Sequence, residues 1–247
     1  MTILDKIVSH KRFEIEDMED IQNPKICKMD FDKLFEPSPC IIAELKAASP
    51  SEGIIAENFN PSLQAQYYIN GRANAISILT DYEFFKGSFE VLEQIRDQTK
   101  QPLLCKEFII EEKQIRYARA CGADLVLLIV KILDDDRLLA LKQEIEKWGM
   151  KALIEIQNDE ELERALKTEP ELLLINNRNL SSFDVDMSTT DKLLDGIPDD
   201  VRVIAASGIQ SPDDLKNFSA RVDGFLIGTS LMRSDNPEKF LRDCRDG

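Results

Sequence analysis

The chain has 247 residues, 43% hydrophobic and 31% charged, with a formal net charge of −15. That composition suits a globular core, and the acidity argues against nucleic acid and anionic membrane as partners. A small anionic ligand fits only where cations and backbone N–H groups cluster locally against the overall field.

In chain order, the first pattern is Ile3, Leu4, Ile7 and Val8 at helical spacing behind Thr2, a suitable N-cap. This predicts a helix opening an extension over residues 1–39, whose second half, from residue 19, is mixed and turn-rich. Eight apolar, β-rich runs follow: CIIAEL at 40–45, AISILT at 75–80, LLCKEFI at 103–109, DLVLLIV at 124–130, ALIEI at 152–156, LLLIN at 172–176, VRVIAAS at 201–207 and GFLIG at 224–228. They are nearly continuous rather than alternating, as parallel strands covered by helices are. Between them, FEVLEQIRDQ sets Phe89, Leu92 and Ile95 on one helical face, and DEELERALK does the same with Leu162 and Leu166. Asp134, Asp135 and Asp136 read as a helix start favoured by the macrodipole, and Ser211-Pro212 as another, with a cap and a first-turn proline. Eight strand–helix units at this spacing predict an α/β fold, a (β/α)8 TIM barrel over residues 40–247 with the extra N-terminal helical segment, together one domain over residues 1–247. A Rossmann or flavodoxin-like sheet fits less well, because no G-x-G-x-x-G follows the first strand.

His10 is the only histidine, and Cys27, Cys40, Cys105, Cys121 and Cys244 are scattered without a C-x-x-C. Histidine-based nucleophilic catalysis, a metal site and a disulfide framework are therefore not expected. No signal peptide or membrane-length apolar run is visible, so the expected compartment is the cytoplasm. Acid–base work must fall to lysines and carboxylates.

Such residues interrupt the strands. Glu44 and Lys46 lie two apart in the first run and share a face, Lys106 stands with Leu104 and Phe108 in the third, Glu155 closes the fifth, and Asn176 the sixth. In a barrel these strand ends converge on one mouth, where opposite charges can compensate one another. Ser207-Gly208 and Gly228-Thr229 follow the seventh and eighth strands, where barrels commonly bind phosphate through backbone N–H groups. Phe85, with Phe84, is placed to wall the mouth against an aromatic group. The residues alone point to a phosphorylated small molecule.

Along nearly its whole length the chain resembles the indole-3-glycerol phosphate synthase family, through ILDKIVSHKR, IIAELKAASPSEG, SILTDYEFFKGS, LLCKEFII, LIEIQNDEEL, INNRNL, ASGI and FLIGTSLMR, in that order. The resemblance implies ring closure with decarboxylation and dehydration of 1-(2-carboxyphenylamino)-1-deoxyribulose 5-phosphate, without metal or organic cofactor. It implies catalytic roles for Lys106 as general acid, Glu155 as base or stabiliser of a cation, and Lys46 oriented by Glu44. It assigns Ser49, Phe85, Asn176 and Arg178 to the substrate, and Ser207, Gly208, Gly228 and Thr229 to its phosphate. The partner is then a small anionic sugar phosphate, bound by a monomer or within a complex of tryptophan-pathway enzymes. Three positions depart from the family pattern: Ala206 in place of Glu, Glu52 in place of Lys, and Glu107 in place of Asp. Another sugar-phosphate reaction and a non-catalytic binding role remain alternatives.

Overall fold

Eight parallel strands close into a cylinder because nearly every residue in them has a buried face to occupy. The computed structural model describes residues 2–26, 28–55, 59–180 and 182–246, so Cys27 lies outside the described residues. The strands are β1 (Cys40–Leu45), β2 (Ala75–Leu79), β3 (Leu103–Lys106), β4 (Leu125–Ile129), β5 (Lys151–Ile156), β6 (Leu172–Asn176), β7 (Arg202–Ala206) and β8 (Gly224–Ile227). Each pairs with the next in the chain, and β1 also pairs with β8, so no strand edge remains open. Ile42, Leu104, Leu127, Leu153, Leu174 and Ile204 fill the cylinder, while their neighbours Ile41, Cys105, Val126, Ile154, Ile175 and Val203 pack outward under the helices. Period-two alternation thus builds two cores from one sheet.

The helices are α1 (Ile3–Glu14), α2 (Pro61–Asn70), α3 (Tyr82–Phe85), α4 (Phe89–Arg96), α5 (Glu112–Ala120), α6 (Asp135–Lys147), α7 (Asp159–Leu166), α8 (Ser188–Leu194), α9 (Thr229–Arg233) and α10 (Pro237–Asp246). Thr2 caps α1 and Asp134 caps α6 through their side chains, as their sequence positions predict. The segment after Ser211 is a 3-10 helix, Pro212–Asn217, rather than an α-helix, closed by a reciprocal Ser211–Asp214 box. β3 stops at Lys106, short of the predicted residue 109. Local side chains take over its backbone groups: Glu107 accepts from Phe108 N–H, and Gln114 accepts from Ile110 and Glu111 N–H while donating to Phe108 C=O.

The N-terminal segment straps the barrel from one rim to the other. At the C-terminal rim, Lys11 of α1 is buried with its Nζ 3.0 Å from Asp81, 3.0 Å from Glu107 and 2.8 Å from Glu14. Asp20 then pairs with Arg116, and Lys25 C=O accepts from Arg119, both along α5. At the opposite rim Leu34 is buried, Asn74 donates to the carbonyls of Leu34 and Pro37, and Lys151 and Arg202 stack over Phe31 and Phe35.

Burial raises the Glu107 carboxyl above its ordinary pKa, and the Lys11 ammonium works against that rise. Removing Lys11 would leave Asp81 and Glu107 buried without their cation. Lys11→Met is expected to lower unfolding stability by about 3–5 kcal/mol, read as a shift in the urea midpoint at unchanged m-value. Adding Glu107→Gln should recover part of that loss.

Candidate active site

A buried carboxylate held between two ammonium groups forms one wall of the mouth. Glu44 ends the inward face of β1, only 4% exposed, with Lys46 Nζ 3.1 Å from one oxygen and Lys106 Nζ 3.8 Å from the other. β1 ends at Leu45, so Lys46 lies just past the strand and reaches back. Burial by itself would raise the Glu44 pKa, but the charges of Lys46 and Lys106 and the Lys46 hydrogen bond outweigh it and hold the carboxyl below its ordinary value.

Gly228 makes room for this group. A Cβ there would lie 2.5 Å from Glu44 Oε1 and 3.3 Å from Lys46 Nζ, far inside normal contact. The glycine that sequence position suggested for close phosphate approach is required first by the ion pair behind it.

The opposite wall is a hydrogen-bonded chain. Asn176 Nδ2 donates to Glu155 Oε1 at 2.9 Å, and Asn176 Oδ1 accepts from Ser207 Oγ at 2.8 Å and from Arg178 N–H at 3.0 Å. The Ser207 hydroxyl is therefore committed to Asn176, and Asn176 fixes the orientation of Glu155. Ser207 and Gly208 both have positive φ, 67° and 89°. A side chain at Gly208 would meet Met187 Sδ at 2.1 Å, so only glycine fits there. Ser230 Oγ donates to Ile209 C=O at 2.9 Å, tying the loop after β7 to the start of α9.

Between the walls lies a cavity of about 960 Å³, lined by Glu44, Lys46, Ser49, Phe85, Lys106, Glu155, Asn176, Arg178, Ser207, Gly208, Gly228 and Thr229. Apart from Phe84, the topology thus brings together every candidate site residue read from the sequence. Phe85 leans on Phe108, ring centroids 5.9 Å apart, whereas Phe84 turns away and packs edge-on against His10 of α1. Only one of the two phenylalanines forms the expected wall. Leu127, Ile129 and Arg233 also line the cavity and were not singled out. Inward alternation along β4 was the available signal for the first two, and the place of Arg233 in the segment after β8 for the third. Among the described residues, no group of three or more His, Cys, Asp or Glu side chains has metal-binding geometry.

Residues 4–244 match the family model described as indole-3-glycerol phosphate synthase. The chain belongs to the indole-3-glycerol phosphate synthase family. An indole-3-glycerol phosphate synthase of Rippkaea orientalis is 46% identical over 210 residues, covering 82% of this chain and 72% of that protein. One of Bacillus cereus is 40% identical over 248 residues, covering 99% and 98%. The solved 3-hexulose-6-phosphate synthase of Salmonella typhimurium superposes with a TM-score of 0.64 at 12% identity, over 83% of this chain and 95% of that one, a likeness of fold alone.

The Glu44 environment fixes the sign of a pH effect. Because its folded pKa is lowered, its contribution to stability is present above the unfolded carboxyl value and is lost as pH falls through the folded one. The stability difference between the native chain and Glu44→Gln should therefore be largest near neutrality and shrink progressively as the pH falls below about 5. Urea unfolding of both proteins across that range checks it, and a difference that widened in acid would contradict the assignment.

Proposed function

We propose that this cavity closes an indole ring, converting 1-(2-carboxyphenylamino)-1-deoxyribulose 5-phosphate to indole-3-glycerol phosphate, carbon dioxide and water. The observation that carries the reading is the pairing of two lysines around Glu44 on one wall with the oriented Glu155 on the other, in a chain of this family.

Lys106 donates a proton to the substrate ketone oxygen as the ring carbon bearing the carboxylate attacks that carbonyl. The new carbon–carbon bond leaves positive charge shared with the amine nitrogen, and Glu155 stabilises it. Loss of carbon dioxide returns its bonding electrons to the ring. In the dehydration, the hydroxyl made in the first step leaves as water with a proton supplied by one of the two lysines, Lys106 or Lys46, and Glu155 takes the proton released from carbon as the double bond forms. Asn176 and Ser207 hold Glu155 in place, so its carboxylate is already oriented when charge develops.

Lys46, aligned by Glu44, holds an anionic end of the substrate, with Arg178 and Ser49 completing the contacts. Phe85, Phe108, Leu127 and Ile129 offer apolar surface to the aryl ring. The backbone at Ser207-Gly208 and Gly228-Thr229 receives the phosphate. The strap over residues 1–39 and the barrel over 40–247 act as one domain on this reading, supported by the buried Lys11 contacts. No helix among the described residues is long and apolar enough to cross a membrane, which is compatible with a cytoplasmic enzyme acting alone or beside others of tryptophan biosynthesis.

Purified protein given the substrate should develop indole fluorescence. Lys106→Ala should reduce turnover by about 10²–10⁴-fold while its circular dichroism and melting temperature stay near those of the native chain. No product at high concentration of folded protein would overturn the reading. Ligand-induced thermal stabilisation without turnover would identify a binding protein instead.

A further inference from the structure

The loop after β1 carries a two-stranded hairpin, Ala48–Ser49 paired with Gly53–Ile54, and Glu52 stands at its tip. The Glu52 carboxylate spans the mouth. Its Oε2 accepts from Arg233 Nη2 at 2.8 Å, and its Oε1 lies 3.6 Å from Arg178 Nη2. Arg178 follows β6 and Arg233 ends α9, so one side chain joins three separate stretches of the rim. All three residues line the cavity. The hairpin holds Glu52 in place, since its N–H donates to Ser49 Oγ at 3.2 Å and to Ser49 C=O at 3.3 Å.

A guanidinium is the side chain best suited to carboxylate or phosphate, through its planar fork of donors. Here both guanidiniums at the rim face a carboxylate supplied by the chain itself, Arg233 through a hydrogen bond and Arg178 through a looser ion pair while its Nη1 donates to Phe183 C=O. An incoming oxyanion that uses either arginine must displace Glu52, and so loses part of the affinity the arginine would otherwise give. We propose that Glu52 is an internal competitor for the oxyanion of the substrate, setting a weaker affinity than the same cavity would have without it. The proposal rests on the reaction above only for the identity of the substrate. The shared chemistry is an oxyanion, either the phosphate or the arylcarboxylate.

The Glu52 side chain is 22% exposed and that of Arg233 56%, so the pairs are partly screened and of modest strength. Removing the competing charge should therefore strengthen anion binding by about 3- to 10-fold. The test compares the native chain with Glu52→Gln and Glu52→Ala. Asp30→Asn serves as a control that removes an exposed charge paired with Lys33 near the opposite rim. Dissociation constants for inorganic phosphate and for benzoate are measured by calorimetry, and KM for the substrate from the fluorescence assay.

Both Glu52 variants are expected to bind at least one of the two anions about 3- to 10-fold more tightly and to lower KM in parallel, with the gain shrinking at high salt. Asp30→Asn should move neither quantity. Tighter phosphate alone identifies the phosphate as the displacing group, and tighter benzoate alone the carboxylate. Unchanged or weaker binding of both anions in the two variants would overturn the proposal. If the native chain proves not to turn over the substrate, the proposed reaction fails, and the two calorimetric arms still decide the role of Glu52.

Discussion

The arrangement of the mouth depends on keeping Glu44 ionised out of bulk water. An isolated carboxylate in that position would cost several kcal/mol or take up a proton. Two ammonium groups reverse this, and they come from different places: Lys46 from just beyond β1 and Lys106 from the end of β3. Their convergence requires the closed strand order, because β2 must separate β1 from β3 by one strand width with all three C-terminal ends at the same rim. It also requires the missing side chain at Gly228, just past β8, the strand that pairs with β1 on the edge away from β2. One ion cluster thus constrains four residues drawn from three separate stretches of the chain.

The adjacent pair Lys106-Glu107 shows how the pleat distributes charge. Lys106 turns inward to Glu44, whereas Glu107 turns outward to Lys11 of the N-terminal helix, with Thr80 Oγ1 donating to its second oxygen at 3.0 Å. A slip of one residue would exchange the two and leave each charge beside its own kind. The strap at the N-terminus and Lys106 are therefore mechanically close, although Lys11 does not line the cavity. Asp81 extends the link, because its other oxygen accepts from Phe84 N–H at 2.8 Å and so starts α3, the helix that carries Phe85 into the mouth.

Much of this was legible because a barrel strand buries both faces. Runs such as CIIAEL and LLLIN needed no partner to be recognised, and polar residues at their ends could only be tolerated where strands converge. What could not be read was the direction of side chains in short or irregular pieces. Phe84 and Phe85 are neighbours on a four-residue helix, too short for periodicity to assign faces. The end of β3 depended on Gln114, eight residues beyond it, capturing backbone groups. The reason for Gly228 depended on Glu44, distant in sequence. Glu52, noted in the sequence only as a departure from the family pattern, gains its partners once the fold brings Arg178 and Arg233 to it.

Ala206 acquires a meaning from the same charge pattern. The ionisable side chains turned into the cavity are Glu44, Glu52 and Glu155 against Lys46, Lys106, Arg178 and Arg233, while the Glu107 carboxylate at its edge is paired outward with Lys11, so the lining carries one net positive charge within a strongly acidic chain. Ala206 lies beside Asn176 in register, 4% exposed and facing the interior. A carboxylate at that position would cancel the positive charge left to receive an anion and would stand beside Asn176, the partner of Glu155. With Glu52 already placing negative charge on the two arginines, an alanine at 206 leaves the lining its net positive charge. The two departures therefore belong together: a carboxylate is gained at the rim, where an arriving anion can displace it, and one is absent from the interior, where nothing could.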